Sequence, residues 1–277
     1  MALTGTPFST TSTGEAFGQL RRAVRNWYTV GLMAVIVAPN RIPPRRGLKG
    51  TWIGRFVATF RMYDGSTIRC RLEDAGDVID VYVNREYERG EISWPDLTSI
   101  IDVGATAGSF TVWAARRSPK AKLIAIEPNP AVYPYLRENL KLNHLDGRVE
   151  TIEAALGAEA GLAAIEDERA FSNLVRIVPV EAGSGPTVKL MTLAEVFEQT
   201  RTNQCDLLKI DCEGGEYDIL LTAPDQLLAR VRNIICEYHA SIKNQPEQLV
   251  ERFVKSGFKV VAEHFPAFGL ILATRPG

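Results

Sequence analysis

From residue 99 onward, short, mainly apolar runs alternate with longer stretches in which apolar residues recur at helical spacing. Ile100 to Val103, Leu123 to Ile126, Val149 to Ala155, Leu207 to Ile210, Ile234 to Cys236 and the closing runs Phe258 to Ala262 and Leu270 to Ala273 read as strands. Ser109 to Arg117 and Pro130 to Asn143 read as helices, Pro130 sitting in a first turn that needs no N–H from it. Thr192 followed three residues later by Glu195 has the spacing of a capping box and starts a further helix. Apolar strands separated by helices predict an α/β fold with a mostly parallel sheet covered on both faces. Ligands of such sheets sit at the carboxyl ends of the strands.

Before residue 99 the pattern differs. Residues 1–16 are rich in Ser, Thr and Gly and are expected to fray, and a helix is predicted from about Glu15 through Val37, stopped by Pro39. Residues 39–48 read as a Pro/Arg-rich linker, and Arg55 to Met62 with Thr67 to Leu72 read as a hairpin about Asp64-Gly65. Residues 156–191, with Gly157, Gly161, Gly183, Gly185 and Pro186 between short alternating runs, predict an antiparallel insertion over the sheet, with Phe171, Ser172 and Asn173 placed to lid a site. The expected division is 1–50 as a basic helical extension and linker, 51–98 as a hairpin and helix lead-in, and 99–277 as the sheet domain. No internal repeat is apparent.

Composition narrows the class. The 277 residues are 45% hydrophobic and 23% charged with a formal net charge of -1, a globular profile that argues against disorder and against wholesale nucleic-acid binding. The charge is uneven, since residues 1–71 hold eleven Lys and Arg against only Glu15 and Asp64. Cys70, Cys205, Cys212 and Cys236 are too scattered for a disulfide framework or a CxxC metal site, which favours a reducing, cytoplasmic setting. The longest apolar run, Trp27 to Ala38, is 12 residues, well short of the roughly 20 needed to span a bilayer. Behind Arg21, Arg22 and Arg25 it can either dock on its own domain or let residues 17–50 rest on an anionic inner-membrane surface.

The candidate chemistry begins where the first strand runs into Asp102-Val103-Gly104-Ala105-Thr106-Ala107-Gly108-Ser109-Phe110. Small residues let the backbone turn sharply into a helix and let a ligand approach. A dinucleotide fingerprint would place glycines at 104, 106 and 109, and Thr106 and Ser109 break it. Asp102, just ahead of the first glycine, suits a cationic amine better than a pyrophosphate. The second strand ends in Glu127-Pro128-Asn129-Pro130, 23 residues after Gly104, where an acid can accept from both hydroxyls of a ribose. Alone, the turn is compatible with a plain strand-to-helix connection and Glu127 with a surface carboxylate.

Together with Leu208-Lys209-Ile210-Asp211-Cys212-Glu213-Gly214-Gly215-Glu216, these blocks resemble the successive motifs of the FkbM family of S-adenosylmethionine-dependent methyltransferases, over roughly Thr59 to Phe258. Every fixed position of the family's K-I-D-x-E-G-x-E block is matched, while Thr106 stands where the family often has Asn. The resemblance implies a Rossmann-like seven-stranded sheet with a reversed final hairpin. It implies S-adenosylmethionine as cofactor and methylation of a hydroxyl on a sugar, a glycan, a glycolipid or another small molecule. Candidate cofactor contacts are then Asp102, Gly104, Ala105, Thr106, Gly108, Ser109, Phe110, Glu127, Pro128, Asn129, Ala155 and Asp211. The rival readings are a nicotinamide-dependent oxidoreductase and a non-catalytic membrane-surface adaptor.

The candidate catalytic residues cluster at two strand ends. Asp211 closes the strand Leu207 to Ile210 and is followed by Glu213 and Glu216. Crowded carboxylates resist joint ionisation, which suits one of them to accept a hydroxyl proton. Glu216 reads instead as a helix N-terminal acid held by the macrodipole. On the next strand, alternation puts Glu237 and His239 on one face, where a neutral His239 could act as base. Asp211, Glu213, Glu237 and His239 could alternatively clamp a divalent metal, and His144 and His264 have no such placement.

Overall fold

The computed structural model describes residues 22–26, 54–88, 92–166, 176–179, 187–262 and 268–275. The expected fraying of 1–16, the linker 39–48, the lid residues Phe171, Ser172 and Asn173, His264 and most of the N-terminal segment lie outside them.

Seven strands form the central sheet: β3 (Ser99–Val103), β4 (Lys122–Ile126), β5 (Val149–Ile152), β10 (Cys205–Ile210), β11 (Val231–His239), β12 (Lys259–Ala262) and β13 (Phe268–Thr274). Their order is β12-β13-β11-β10-β3-β4-β5. Neighbours pair in parallel except β13, which lies antiparallel between β11 and β12. This is an α/β Rossmann-like fold with the reversed final hairpin that the family resemblance implies.

Helices cover both faces because successive strand residues point to opposite sides. Ile100 and Leu207 face one core layer with Val112 and Trp113 of α2 (Ser109–Arg117) and Leu136 and Leu140 of α3 (Tyr133–Leu142). Ile101 and Leu208 face the other, with Phe197 of α4 (Leu193–Gln199), Leu220 of α5 (Glu216–Thr222) and Phe253 of α7 (Pro246–Lys255). The short α6 (Asp225–Leu228) adds Leu227 and Leu228 to this second layer. The Thr192 capping box is present, its hydroxyl accepting from the Glu195 N–H and the Glu195 carboxylate accepting from the Thr192 N–H.

The hairpin forms as β1 (Val57–Arg61) and β2 (Thr67–Arg71), and α1 (Ala75–Tyr82) follows it as the helix of the expected lead-in, for which the sequence suggests no bounds. Asn139 of α3 and Asn143, its C-cap, hold β2 to the domain by accepting from the Arg69 and Thr67 N–H groups. A second sheet carries the expected antiparallel insertion: β6 (Ala155–Leu156), β7 (Gly161–Glu166), β8 (Arg176–Pro179) and β9 (Thr187–Met191), in the order β6-β9-β7-β8.

Three expectations need correction. The third strand is split, because the chain leaves β4 after Ile152 and pairs β6 with β9 instead. α3 starts at Tyr133 rather than Pro130, since Asn129 takes the Ala131 N–H on its side chain and the Val132 and Tyr133 N–H groups on its carbonyl, forming a turn first. The predicted helix from Glu15 to Val37 is interrupted, for Val24 makes an antiparallel bridge to Met62 and the Asn26 side chain accepts from the Arg61 N–H while donating to the Thr59 carbonyl. No helix among the described residues is long and apolar enough to cross a membrane.

Candidate active site

A cleft of about 740 Å³ opens at the carboxyl ends of β3, β4 and β10. Two turns shape its floor. Gly104 has φ +76°, and a Cβ there would lie 1.8 Å from the Asp211 carbonyl oxygen, so only glycine lets the loop after β3 pass the end of β10. Gly108 has φ +86° at the entry to α2, where a Cβ would meet Leu136 at 2.8 Å. Between them Thr106 holds φ +49°, an uncommon conformation for a β-branched residue. It turns its N–H onto Glu127 Oε2 at 2.8 Å. Local strain of this kind persists where surrounding contacts fix the backbone.

Glu127 lines the cleft at the tip of β4, its second oxygen accepting from the Asn129 N–H at 2.8 Å. Burial pushes its pKa up to about 7, against the pull of the Asn129 and Thr106 donors. Across the floor, Asp211, Glu213 and His239 line the opposite wall, and Pro128 and Ala155 line the Glu127 side with Leu156. Gly104, Thr106, Glu127, Pro128, Ala155, Asp211, Glu213 and His239 are therefore the sequence candidates that share the cleft.

The other candidates stand behind it. Asp102 is wholly buried: alternation puts it on the face of Ile100, beneath α2, where Oδ2 accepts from the Thr111 hydroxyl at 2.5 Å and Oδ1 lies 3.2 Å from Lys209 Nζ. Asp102, expected to meet a ligand amine, is therefore not among the residues lining the cleft. Ser109 is buried in the first turn of α2, and Phe110 belongs to an aromatic cluster with Tyr87, Trp94 and Trp113. Ala105 and Phe110 line a separate small cavity behind Gly104. Asn129 supports Glu127 from behind the wall.

The Lys209 ammonium donates to the Gly104 carbonyl at 2.9 Å and lies 3.9 Å from Asp211, joining the ends of β3 and β10 through one cation. Burial opposes its charge, but Asp102 and Asp211 outweigh that and raise its pKa above the ordinary value.

His239 sits among acids. Nε2 is 3.3 Å from Glu213 and 3.7 Å from Glu237, and Nδ1 is 3.3 Å from Glu216. Burial works against the charged ring, yet Glu216, Glu213 and Asp211 together push its pKa up to about 10. The acids around the ring favour its protonated form, which bears against the expectation of a neutral base. Glu216 is fully buried and accepts from the His239 N–H at 2.5 Å and the Gly214 N–H at 2.8 Å, fastening the loop after β10 to the end of β11. Glu237 is buried beneath His239, and Asp211, Glu237 and His239 each offer one ligand atom within 4.8 Å of the others, a set that could hold a divalent cation.

The family model described as the methyltransferase FkbM domain matches residues 102–260. Methyltransferase sdnD of Sordaria araneosa is 29% identical over 65% of this chain and 83% of its own length. The 31-O-demethyl-FK506 methyltransferase FkbM of Streptomyces tacrolimicus is 25% identical over 76% of this chain and 93% of its own. The hexuronic acid methyltransferase AglP of Haloferax volcanii is 28% identical over 60% and 63%.

Proposed function

The chain belongs to the FkbM methyltransferase family, and from that premise we propose that it methylates a hydroxyl oxygen on a sugar, a glycolipid or another small-molecule acceptor. The acceptor class is favoured by two relatives, one named for a 31-O-demethyl substrate and one for a hexuronic acid. The matched family gives the nicotinamide and adaptor readings no support.

S-adenosylmethionine is the methyl donor, and when bound it supplies an electrophilic methyl on a sulfonium whose departure needs no protonation. The residues present suit such a cationic nucleoside. Glu127, fixed by two backbone donors, presents carboxylate lone pairs for the ribose hydroxyls. Gly104 and Thr106 offer close backbone approach, and Ile126, Ala155 and Leu156 form an apolar flank for the base. The observation that carries the reading is that Glu127 and Asp211, at the tips of the two strands flanking β3, line one cleft. Asp211 is assigned as the proton acceptor for the attacking hydroxyl, with Glu213 beside it and the His239 cation balancing their charge. Most of the acceleration then comes from alignment of the two reactants. Incubating candidate acceptors with isotope-labelled donor and looking for the added methyl by mass spectrometry tests the assignment. Absence of transfer to any hydroxyl, with transfer to nitrogen or carbon instead, would refute O-methylation.

Glu127→Gln is expected to weaken binding of S-adenosylhomocysteine about 10- to 100-fold, the weight of charge-assisted hydrogen bonds to the ribose. In the unsubstituted protein the affinity should fall as pH drops through about 7, where Glu127 takes a proton and can no longer accept from all its donors. The variant should lack that dependence. Calorimetry at several pH values reads both effects, and an unchanged affinity in the variant would contradict the ribose assignment.

The Asp211, Glu237 and His239 set supports a second reading in which a divalent cation binds the acceptor oxygen. Acceptance of the proton by Asp211 predicts unchanged turnover after chelator treatment and desalting. Turnover lost with chelator and restored by Mg²⁺ would transfer the role to the cation.

A further inference from the structure

We propose that Asp77, on helix α1 and outside the matched segment, binds the α-ammonium group at the amino-acid end of the methyl donor. The inference rests on the donor reading above. That donor has an apolar base, a ribose and a chain ending in an ammonium and a carboxylate, so a complete site needs an acid for the ammonium. Asp102, which the motif nominates, is withdrawn beneath α2 and engaged by Lys209 and Thr111. Asp211 stands 3.9 Å from the Lys209 cation and is assigned above to the attacking hydroxyl.

The cleft runs from Glu127 past Gly104 and Thr106, and Asp77 forms part of its wall. Beside it a narrow cavity of about 20 Å³ is walled by Asp77, Asp80, Tyr87, Gly104, Lys209 and Asp211. Asp77 is the residue of α1 that borders both spaces, with Asp80 three positions on facing only the smaller one. The α1 backbone is anchored for the task, because Ala75, Val78 and Val81 are buried in the same core layer as Phe110 of α2. The plainer role for Asp77 is that of an acid in a helix first turn, stabilised by the macrodipole. Such a role affects stability and has no preference among ligands.

Calorimetry of the full chain with S-adenosylhomocysteine and with 5′-methylthioadenosine, which lacks the amino-acid end, separates the two. Asp77→Asn is expected to weaken S-adenosylhomocysteine about 10- to 100-fold, the scale of one charge-assisted hydrogen bond, while methylthioadenosine binds as before. Retained methylthioadenosine binding also reports that the variant is folded. If Asp77→Asn does not fold, Asp77→Ser is read by the same comparison. Unchanged S-adenosylhomocysteine affinity, or an equal loss for both nucleosides, overturns the proposal while leaving the donor reading intact. An unsubstituted protein that binds neither nucleoside overturns both.

Discussion

Lys209→Met is expected to lower folding stability by about 3–5 kcal/mol, because it removes one partner of a buried ion pair and leaves the other charge behind. Asp102 is wholly buried and Lys209 is 3% exposed, so water cannot take over the vacated contact. The lost ammonium also strands the Gly104 carbonyl it now receives at 2.9 Å. Thr111 alone then faces the Asp102 carboxylate. Met retains much of the stem volume beside Phe110 and Tyr87, whose ring centroids lie 5.7 and 6.0 Å from the ammonium, so the loss reports charge rather than packing. The double variant Lys209→Met/Asp102→Asn should recover part of the loss, since a neutral amide costs less to bury than an unpaired carboxylate. Urea denaturation with unchanged slope is the measurement. A single-variant loss below about 1 kcal/mol, the range of an exposed pair, would show the pair to be solvated and incidental.

The same pair shows what could and could not be read before the coordinates. The run of alternating strands and helices carried the mostly parallel sheet and its ligand-binding edge, because the strands are short, mainly apolar runs set between helical stretches. Parity along β3 also contained the answer for Asp102: it shares a face with Ile100, which packs under a helix. A carboxylate beside a glycine turn draws a ligand reading, whereas its cross-strand neighbour Lys209 makes it structural, and strand register is not visible in one sequence. Thr106 illustrates a second limit. Its φ of +49° is imposed by the loop and by Glu127, against the local preference of threonine, so no propensity argument would place its N–H on that carboxylate. The bounds of α1 are illegible for a third reason. It is eight residues long, begins directly after a 3-10 turn without a side-chain cap, and lies outside the motif blocks, though Asp77 lines the cleft.

Asp211→Asn should lower kcat by about 10²- to 10⁴-fold, the usual weight of a positioned proton acceptor. The substitution is nearly isosteric and removes the basicity and the negative charge of the side chain. Lys209 keeps Asp102 and the Gly104 carbonyl, so the strand ends stay joined and the backbone bond from the Asp211 N–H to the Val103 carbonyl is untouched. Glu127 and the glycine turn stand on the other side of the floor, and S-adenosylhomocysteine affinity should therefore change far less than turnover. Glu213→Gln provides the contrast. Glu213 faces the His239 ring at 3.3 Å, and its loss leaves Asp211 in place, so a smaller fall in kcat is expected there. Single-turnover kinetics beside calorimetry separates chemistry from binding. Equal losses in the two variants would make the acid cluster, rather than Asp211, the proton acceptor. An Asp211→Asn enzyme with full kcat would mean that the hydroxyl gives its proton to water or to the acceptor molecule itself, leaving alignment across the cleft as the protein's whole contribution.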